Sequence, residues 1–487
     1  MNRIVMVCAA ASMLLAITTA TGKSAEFTSL GSPTPSLDAL ASDAISESLP
    51  WSFGATSDDG IFPWAGLIAD KWGNLYGTTA GGGPGGNVGE ICCGVTGGGT
   101  AFELSPPSGK QTQWSERVLW DFGVRTNDGS SPYVGAGLIF DKWGNLYGTT
   151  STGGAYNNGG TVFELSPPTG KQTQWSERVL WSFTFGGNST DANTPAGNLI
   201  FDKWGNLYGT TNGGGVNGVS FFGEGTVFEL SPPSGKSKQW NERVLWSFGT
   251  GTDDGTFPLA GLIADKWGNL YGTTIFGGAN GYGTVFELSP PIGQQTQWNE
   301  SVLWSFGNSD NDDGAYSTAS LIFDKWGNLY GTTNNGGSAG SALFVDGTVF
   351  ELRPPVGQQS QWSERLLWSF IGEPAPGFNL AFPDGEGPSA SLIFDKWGNL
   401  YGTTGSGGAF SRFQGGTVFE LSPPAGQQAP WSERLLWSFS PDGDGYNPYS
   451  NLITDEWGNL YGTTRFGGAN CLVCGTVFKL SLSGWGQ

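Results

Sequence analysis

Side chains that occur only once among many near-identical copies are where this sequence could do chemistry. Glu90, Glu224, Asp346, Glu373 and Glu386 are acidic residues set in single glycine- and asparagine-rich segments. Two such carboxyls at a suitable separation would supply the neutral acid and the charged base or nucleophile of a carbohydrate hydrolase or lyase. Sequence gives no separations, so Glu90, Glu224, Glu373 and Glu386 stand as weak catalytic candidates. Aromatic residues stud the same kind of segment: Tyr156, Phe221, Phe222, Phe276, Tyr282, Phe344, Phe410, Phe413 and Phe466. Rings among Asn and Gly suit stacking on sugars, which makes Phe221, Phe222, Phe276, Tyr282, Phe410 and Phe413 the candidate ligand-binding residues. Asp-Gly pairs recur at Asp59, Asp128, Asp254, Asp313 and Asp384, and as Asp442-Gly-Asp444-Gly. None completes an Asp-x-Asp-x-Asp-Gly calcium loop, so turn formation is the preferred reading. Asp442 and Asp444 remain as weak Ca²⁺ candidates, and no other metal or cofactor is expected.

Composition narrows the chemistry further. The chain has no histidine, which removes the Ser/His/Asp triad, the Cys/His dyad and imidazole metal sites. Its net charge of −20 repels phosphate backbones and anionic headgroups, so nucleic acid and polybasic membrane docking are not expected partners. Gly 82 and Pro 27, about 22% of the chain, fall just under the range that suggests low-complexity disorder, and 22 Trp and 14% aromatic residues supply a core.

The positioning elements emerge from a repeat search. Asp-Lys-Trp-Gly-Asn-Leu-Tyr-Gly-Thr-Thr begins at Asp70, Asp141, Asp202, Asp265, Asp324 and Asp395, and returns with Glu in place of Lys from Asp455. Each copy adds a Gly-Thr-Val-Phe-Glu-Leu type segment, and all but the seventh then add one like Glu177-Arg-Val-Leu-Trp-Ser-Phe183. Every repeat therefore reads as four short strands, A to D: in the second copy, 137–141, 146–150, 161–165 and 178–183. Asp141-Lys-Trp-Gly144 fits a tight A–B hairpin in which the Asp side chain caps the turn and Gly144 takes positive φ. The seventh copy ends before any D strand, while Ser46-Glu-Ser-Leu-Pro-Trp-Ser-Phe53, ahead of the first, aligns with D. A ring closed by pairing this segment with the last repeat explains the permutation. The fold class expected is all-β, a seven-bladed propeller of four antiparallel strands per blade.

These motifs resemble the GloVer tandem-repeat family of exported bacterial proteins, with Gly-Leu-Ile-x-Asp-x-x-Gly-Asn-Leu-Tyr-Gly-Thr-Thr followed by Gly-Thr-Val-Phe-x-Leu, over residues 46–482. The resemblance implies a surface or secreted protein from a family with differing C-terminal anchors, and no particular activity. No anchor follows Leu482, which argues against retention at the cell wall or membrane. Arg3, the apolar run Ile4 to Thr19 and the small residues Ala20-Thr21-Gly22 read as an export signal. The expected organisation is a signal peptide at 1–22, a flexible lead-in at 23–45, the propeller at 46–482 and a tail at 483–487, without a membrane span and as a monomer.

In such a ring the A–B and C–D turns share one face and hardly vary. Their tryptophans, Trp72, Trp143, Trp204, Trp267, Trp326, Trp397 and Trp457 in the hairpins and Trp114, Trp175, Trp240, Trp298, Trp362 and Trp431 between C and D, could form a stacking platform, but packing together beneath the loops is the preferred reading. The D–A and B–C connections vary and are expected to carry any site. At the seam, residues 46–53 should pair with 475–480 and bring Lys479 near Glu47. Glu on strand C should face Arg on strand D. Cys92 and Cys93 lie in the first B–C loop, Cys471 and Cys474 in the seventh, and at least one disulfide is expected to clasp the two blades. The function expected is a binding or interaction module for extracellular carbohydrate or protein. The alternatives are a carboxylate-dependent hydrolase or lyase and a structural surface protein without a ligand.

Overall fold

The computed structural model describes residues 45–56, 58–84, 97–133, 135, 137–186, 192–216, 223–235, 237–307, 313–337, 347–357, 359–370, 382–409, 415–426, 430–440 and 443–482. Cys92 and Cys93 lie outside them. Seven antiparallel four-stranded sheets form a seven-bladed β-propeller. In the second blade the strands are Ile139–Phe140, Leu146–Thr150, Thr161–Ser166 and Ser176–Ser182, within a residue or two of the expected A to D. Small two-stranded ribbons join the D–A and B–C connections in most blades, for example Gly60–Ile61 with Gly81–Gly82. In the third blade ribbon and sheet merge instead into the long strands Ala192–Phe201 and Leu207–Gly214.

Most residues of the repeated decapeptide have a mechanical role. Asp141 Oδ1 accepts the backbone N–H of Trp143 and Asn145, and its Oδ2 accepts the Asn145 amide and the Tyr147 hydroxyl. Gly144 sits at φ 87°, a value an L side chain resists. The paired threonines stitch in two directions. The first reaches the next blade, as in Thr210 Oγ1 to Ala260 O at 2.9 Å and Thr273 Oγ1 to Ala319 O at 3.1 Å. The second joins strand B to strand C through a neighbouring hydroxyl, as in Thr150 to Thr161 at 2.8 Å. The glycine between Tyr and Thr is needed because a Cβ at Gly148 would lie 2.6 Å from the Phe163 ring.

The core lies between blades, not within them. In each case a strand-C Phe meets the Phe that ends strand D of the blade before, with centroids 4.8–5.2 Å apart: Phe122–Phe163, Phe183–Phe228, Phe248–Phe286, Phe306–Phe350, Phe370–Phe419 and Phe439–Phe478. Phe53–Phe102, at 5.0 Å, supplies the seventh contact and uses the N-terminal segment to do so.

That segment, Ile45–Ser52, pairs antiparallel with Thr476–Leu482 and is the D strand of the seventh blade, as expected. Its register is interrupted between Ser48 and Trp51, where Pro50 sits on the outer edge without having to donate to the ladder. Thr463 Oγ1 donates to Pro63 O at 2.8 Å, continuing the inter-blade stitch across the seam. Glu103–Arg117, Glu164–Arg178, Glu351–Arg365 and Glu420–Arg434 pair across strands C and D as expected.

Two expectations at the seam are corrected. Lys479 is opposite Ser48, whereas Glu47 is opposite Leu480. Successive strand residues point to opposite faces, so Lys479 and Glu47 are separated by the sheet; Lys479 instead stands 5.5 Å from the Tyr461 ring. The clasp is also overturned, because Cys471 bonds to Cys474 within one loop, their Cα atoms 5.4 Å apart. A tight turn with Cys474 N–H donating to Cys471 O brings the two thiols together locally. The bridge still serves the seam by packing. Phe62 N–H donates to Cys474 O, and a Cβ on Gly54 would fall 2.1 Å from Cys474 Sγ. Closing so short a loop stabilises by about 2 kcal/mol in the chain-entropy treatment, well below the figure for a clasp across the ring. Cys471→Ser/Cys474→Ser should lower unfolding free energy by about that amount in urea, and a loss above about 4 kcal/mol would show that the bridge does more than close its turn.

Candidate functional site on the variable-loop face

Each D–A connection climbs from the outer edge of one blade to the inner strand of the next, and one corner residue is fixed in the left-handed region. Phe62, Ser131, Thr194, Phe257, Tyr316 and Asn447 have φ between 54° and 59° there. Such a conformation is costly for a side-chain-bearing residue and needs outside support. The support comes from the neighbouring blade: Phe257 N–H donates to Glu224 O at 2.8 Å and Tyr316 N–H to Tyr282 O at 2.9 Å. Six equivalent, rigid corners are thus presented at blade junctions, with different side chains on most of them.

Where the corner residue is aromatic, rings gather. Between blades 4 and 5, Phe276 packs edge-on to Phe257 at 5.8 Å and to Tyr316 at 5.4 Å, and Tyr282 joins Tyr316 at 5.6 Å. Phe276 is 39% exposed, and Phe257 and Tyr282 are half-buried, so the cluster presents ring surface and edge. Burial and the neighbouring Tyr282 raise the pKa of Tyr316, which keeps its hydroxyl protonated and able to donate. A second cluster spans blades 7, 1 and 2. Trp64 meets Tyr133 at 4.5 Å, and the Arg465 guanidinium lies 4.1 Å from the Trp64 ring and 4.4 Å from Phe466. Tyr449, with its pKa raised by burial, feels the charges of both Arg465 and Glu386. Trp64 and Glu386 are buried, so this second cluster offers mainly Arg465, Tyr133 and Phe466.

The sequence-predicted residues divide accordingly. Phe276 and Tyr282 are brought together around Tyr316. Phe466 joins the second cluster. Phe221, Phe222, Phe410, Phe413, Glu90, Glu373 and Asp442 lie outside the described residues. Glu224 and Glu386 belong to loops of blades 3 and 6, three blades apart in the ring. The carboxyl of Glu224 is raised by burial alone, while its backbone carbonyl holds the Phe257 corner. The Asp-Gly aspartates do turn work: Asp59 Oδ2 accepts from Ala55 N–H, Asp254 Oδ2 from Thr250 N–H and hydroxyl, and Asp444 Oδ1 from Ser440 N–H. Among the described residues no group of three or more His, Cys, Asp or Glu is arranged to hold a metal.

Sequence reading missed Tyr316, Phe257, Trp64, Tyr133 and Arg465. Aligning the copies would have found them, since they occupy positions where invariant neighbours flank a changing residue. It also missed a carboxyl pair in most blades, in which the strand-D Glu faces the aspartate of the incoming D–A connection. Burial and Asp128 raise Glu177, burial and Asp59 raise Glu116, and Glu364, beside Asp313, is pushed up to about 8.

The opposite face also departs from expectation. The C–D tryptophans are buried or half-buried, with Trp240 and Trp431 at 8% exposure. The hairpin tryptophans are not packed beneath loops: Trp72, Trp143, Trp204, Trp267 and Trp326 are 71–72% exposed, Trp457 66% and Trp397 54%. The Asp-capped turn fixes the backbone and leaves this side chain outside the core.

The profile of the Gloeobacter/Verrucomicrobia repeat matches residues 47–217 and 176–373. The chain belongs to that family. No curated protein is similar to it in sequence. Solved structures that resemble it include a luciferin-regenerating enzyme (14% identity, 71% of this chain and 91% of that one, TM-score 0.37) and a glucose dehydrogenase (12% identity, 66% and 93%, TM-score 0.35). No helix among the described residues is long and apolar enough to cross a membrane.

Proposed function

We propose that this repeat protein is an extracytoplasmic binding module that holds carbohydrate on its variable-loop face, chiefly at the Phe257–Phe276–Tyr282–Tyr316 cluster. The observation that carries the reading is that four rings from two blades converge at a corner whose backbone is held by the neighbouring blade. A preorganised aromatic surface suits the apolar faces of sugar rings, and a neutral Tyr hydroxyl at its edge supplies direction. The Cys471–Cys474 bridge fits an oxidising compartment.

Affinity electrophoresis against soluble xylan, mixed-linkage β-glucan and galactomannan tests the reading. At least one should retard the protein without release of new reducing ends. Phe276→Ala/Tyr316→Ala should weaken that retardation by about tenfold, ~1.4 kcal/mol. Unchanged retardation in the double variant, or no retardation by any of the three, would overturn the assignment.

A further inference from the structure

The hairpin face has no part in the function just proposed, yet it carries the least explained side chains of the molecule. Asp, Gly, Asn and Tyr of the decapeptide hold the turn, and Leu fills the core. Trp and Lys do neither: the indoles are exposed, and Lys325 and Lys396 lie 4.3 and 4.2 Å from the rings of Trp326 and Trp397. The lysines are one-sided as well. Every lysine among the described residues except Lys479 sits in an A–B or C–D turn of this face, in a chain of net charge −20.

Between blades 5 and 6 these elements border a groove of about 550 Å³ walled by Trp326, Trp397 and the Pro423-Pro424 turn. Here one copy departs from the rest. The sixth residue of strand C is Ser in the other blades, such as Ser289, Ser422 and Ser481, but Arg353 in blade 5. Arg353 Nη2 donates to Glu351 Oε2 at 2.8 Å, and Glu351 also accepts the Tyr330 hydroxyl at 2.9 Å. Glu351 is therefore already satisfied, and a guanidinium with five N–H donors has others to offer. Lys325, Lys396, Arg353 and Arg365 outnumber Asp324, Asp395 and Glu351 along the walls, and both aspartates are engaged in their turns.

We propose that this groove binds a uronate-bearing polysaccharide. The indoles take the apolar faces of successive pyranose rings, while Arg353 and the two lysines take their carboxylates. The molecule's overall negative charge does not forbid this, since charges more than about 8 Å away are largely screened at physiological ionic strength. An anionic bilayer fits less well: the donors lie between two indole walls, where a planar surface of headgroups has no group to place.

Alginate oligomers, with cellohexaose as the uncharged control, test the proposal in titration calorimetry on the full chain. Alginate should bind, cellohexaose should not, and affinity should fall as NaCl rises. Arg353→Ser, which installs the residue the other copies carry, and Trp326→Ala should each weaken alginate at least about tenfold while leaving the melting temperature unchanged; Phe276→Ala/Tyr316→Ala should leave it intact. Failure of either single variant to weaken binding would overturn the assignment. So would equal affinity for poly-glutamate, which shows charge without ring recognition, or cosedimentation with phosphatidylserine vesicles that alginate does not compete. Because the ligands, the face and the variants differ from those of the aromatic cluster, each reading fails on its own.

Discussion

Deleting residues 1–53 will leave a protein that does not fold as a soluble monomer. Ile45–Ser52 is the outer strand of the seventh blade, and without it Thr476–Leu482 becomes an unpaired edge. The loss is more than a row of hydrogen bonds. Phe53 is fully buried against Phe102, and Ile45 and Leu49 pack on the cluster of Leu452, Leu460 and Phe478. At about 1.5–3 kcal/mol for a fully buried large apolar side chain, and about half that for the half-buried Ile45, Leu49 and Trp51, the missing burial amounts to roughly 4–8 kcal/mol, comparable to the whole stability of a typical domain. The exposed edge then becomes a template for pairing with other chains. Size-exclusion chromatography should show aggregate, and a synthetic peptide of residues 44–54 added during refolding should restore part of the monomer. A deletion variant that stays monomeric with a near-native melting temperature would show that the ring does not depend on this strand.

Much of that closure is legible in the sequence, and the reason is physical. A repeat displays its own strand order, and a missing strand at one end with a spare one at the other has few geometric solutions. The hairpin is legible for the same reason, because Asp141, Gly144 and Asn145 interact within five residues of chain. Orientation across distance is what sequence does not supply. Aligning the copies sets Lys479 against Ser48 with Glu47 beside it, but that one-residue offset places Lys479 and Glu47 on opposite sides of the sheet. Cys471 and Cys474 do sit in a loop facing the first blade, yet their own turn brings the thiols together at lower cost. Residue type alone makes the hairpin tryptophans apolar groups that ought to be covered, although the tight turn that holds them leaves them more than half exposed. The aromatic cluster is half visible: Phe276 and Tyr282 stand out by type, while Tyr316 becomes relevant only through the blade-to-blade bond that fixes its backbone.

The buried carboxyl pairs lead to the second large effect, a protein more stable in mild acid than at neutral or alkaline pH. Burial, followed by the charge of the facing aspartate, pushes Glu47, Glu300 and Glu433 up to about 7 and Glu364 to about 8, from an ordinary 4.5. Glu116 and Glu177 are raised by the same causes beside Asp59 and Asp128, whose own carboxyls are also raised by burial. The sign follows from proton counts. Between pH 4.5 and about 8 the folded chain holds protons on these groups that the unfolded chain has released, so stability must fall as pH rises through that window and level off above it. Each tenfold gain in a carboxylate's proton affinity is worth about 1.4 kcal/mol, and even after discounting for partial exposure several such groups together make a difference of several kcal/mol. For a chain of this size, with an unfolding entropy of roughly 1 kcal/mol/K, that corresponds to a drop in melting temperature of about 5 °C between pH 5 and pH 8. Net negative charge grows over the same range and acts in the same direction, so the carboxyl pairs must be separated from it by substitution. Glu116→Gln/Glu177→Gln/Glu364→Gln keeps a neutral, hydrogen-bonding group at all pH values. Thermal melts of this variant should show a markedly flatter slope than the parent between pH 5 and pH 8, with the largest gain in stability at the alkaline end. A parent whose melting temperature is constant or rises over that interval would mean that the pairs stay ionised in the fold, and that something else compensates two facing carboxylates in blade after blade.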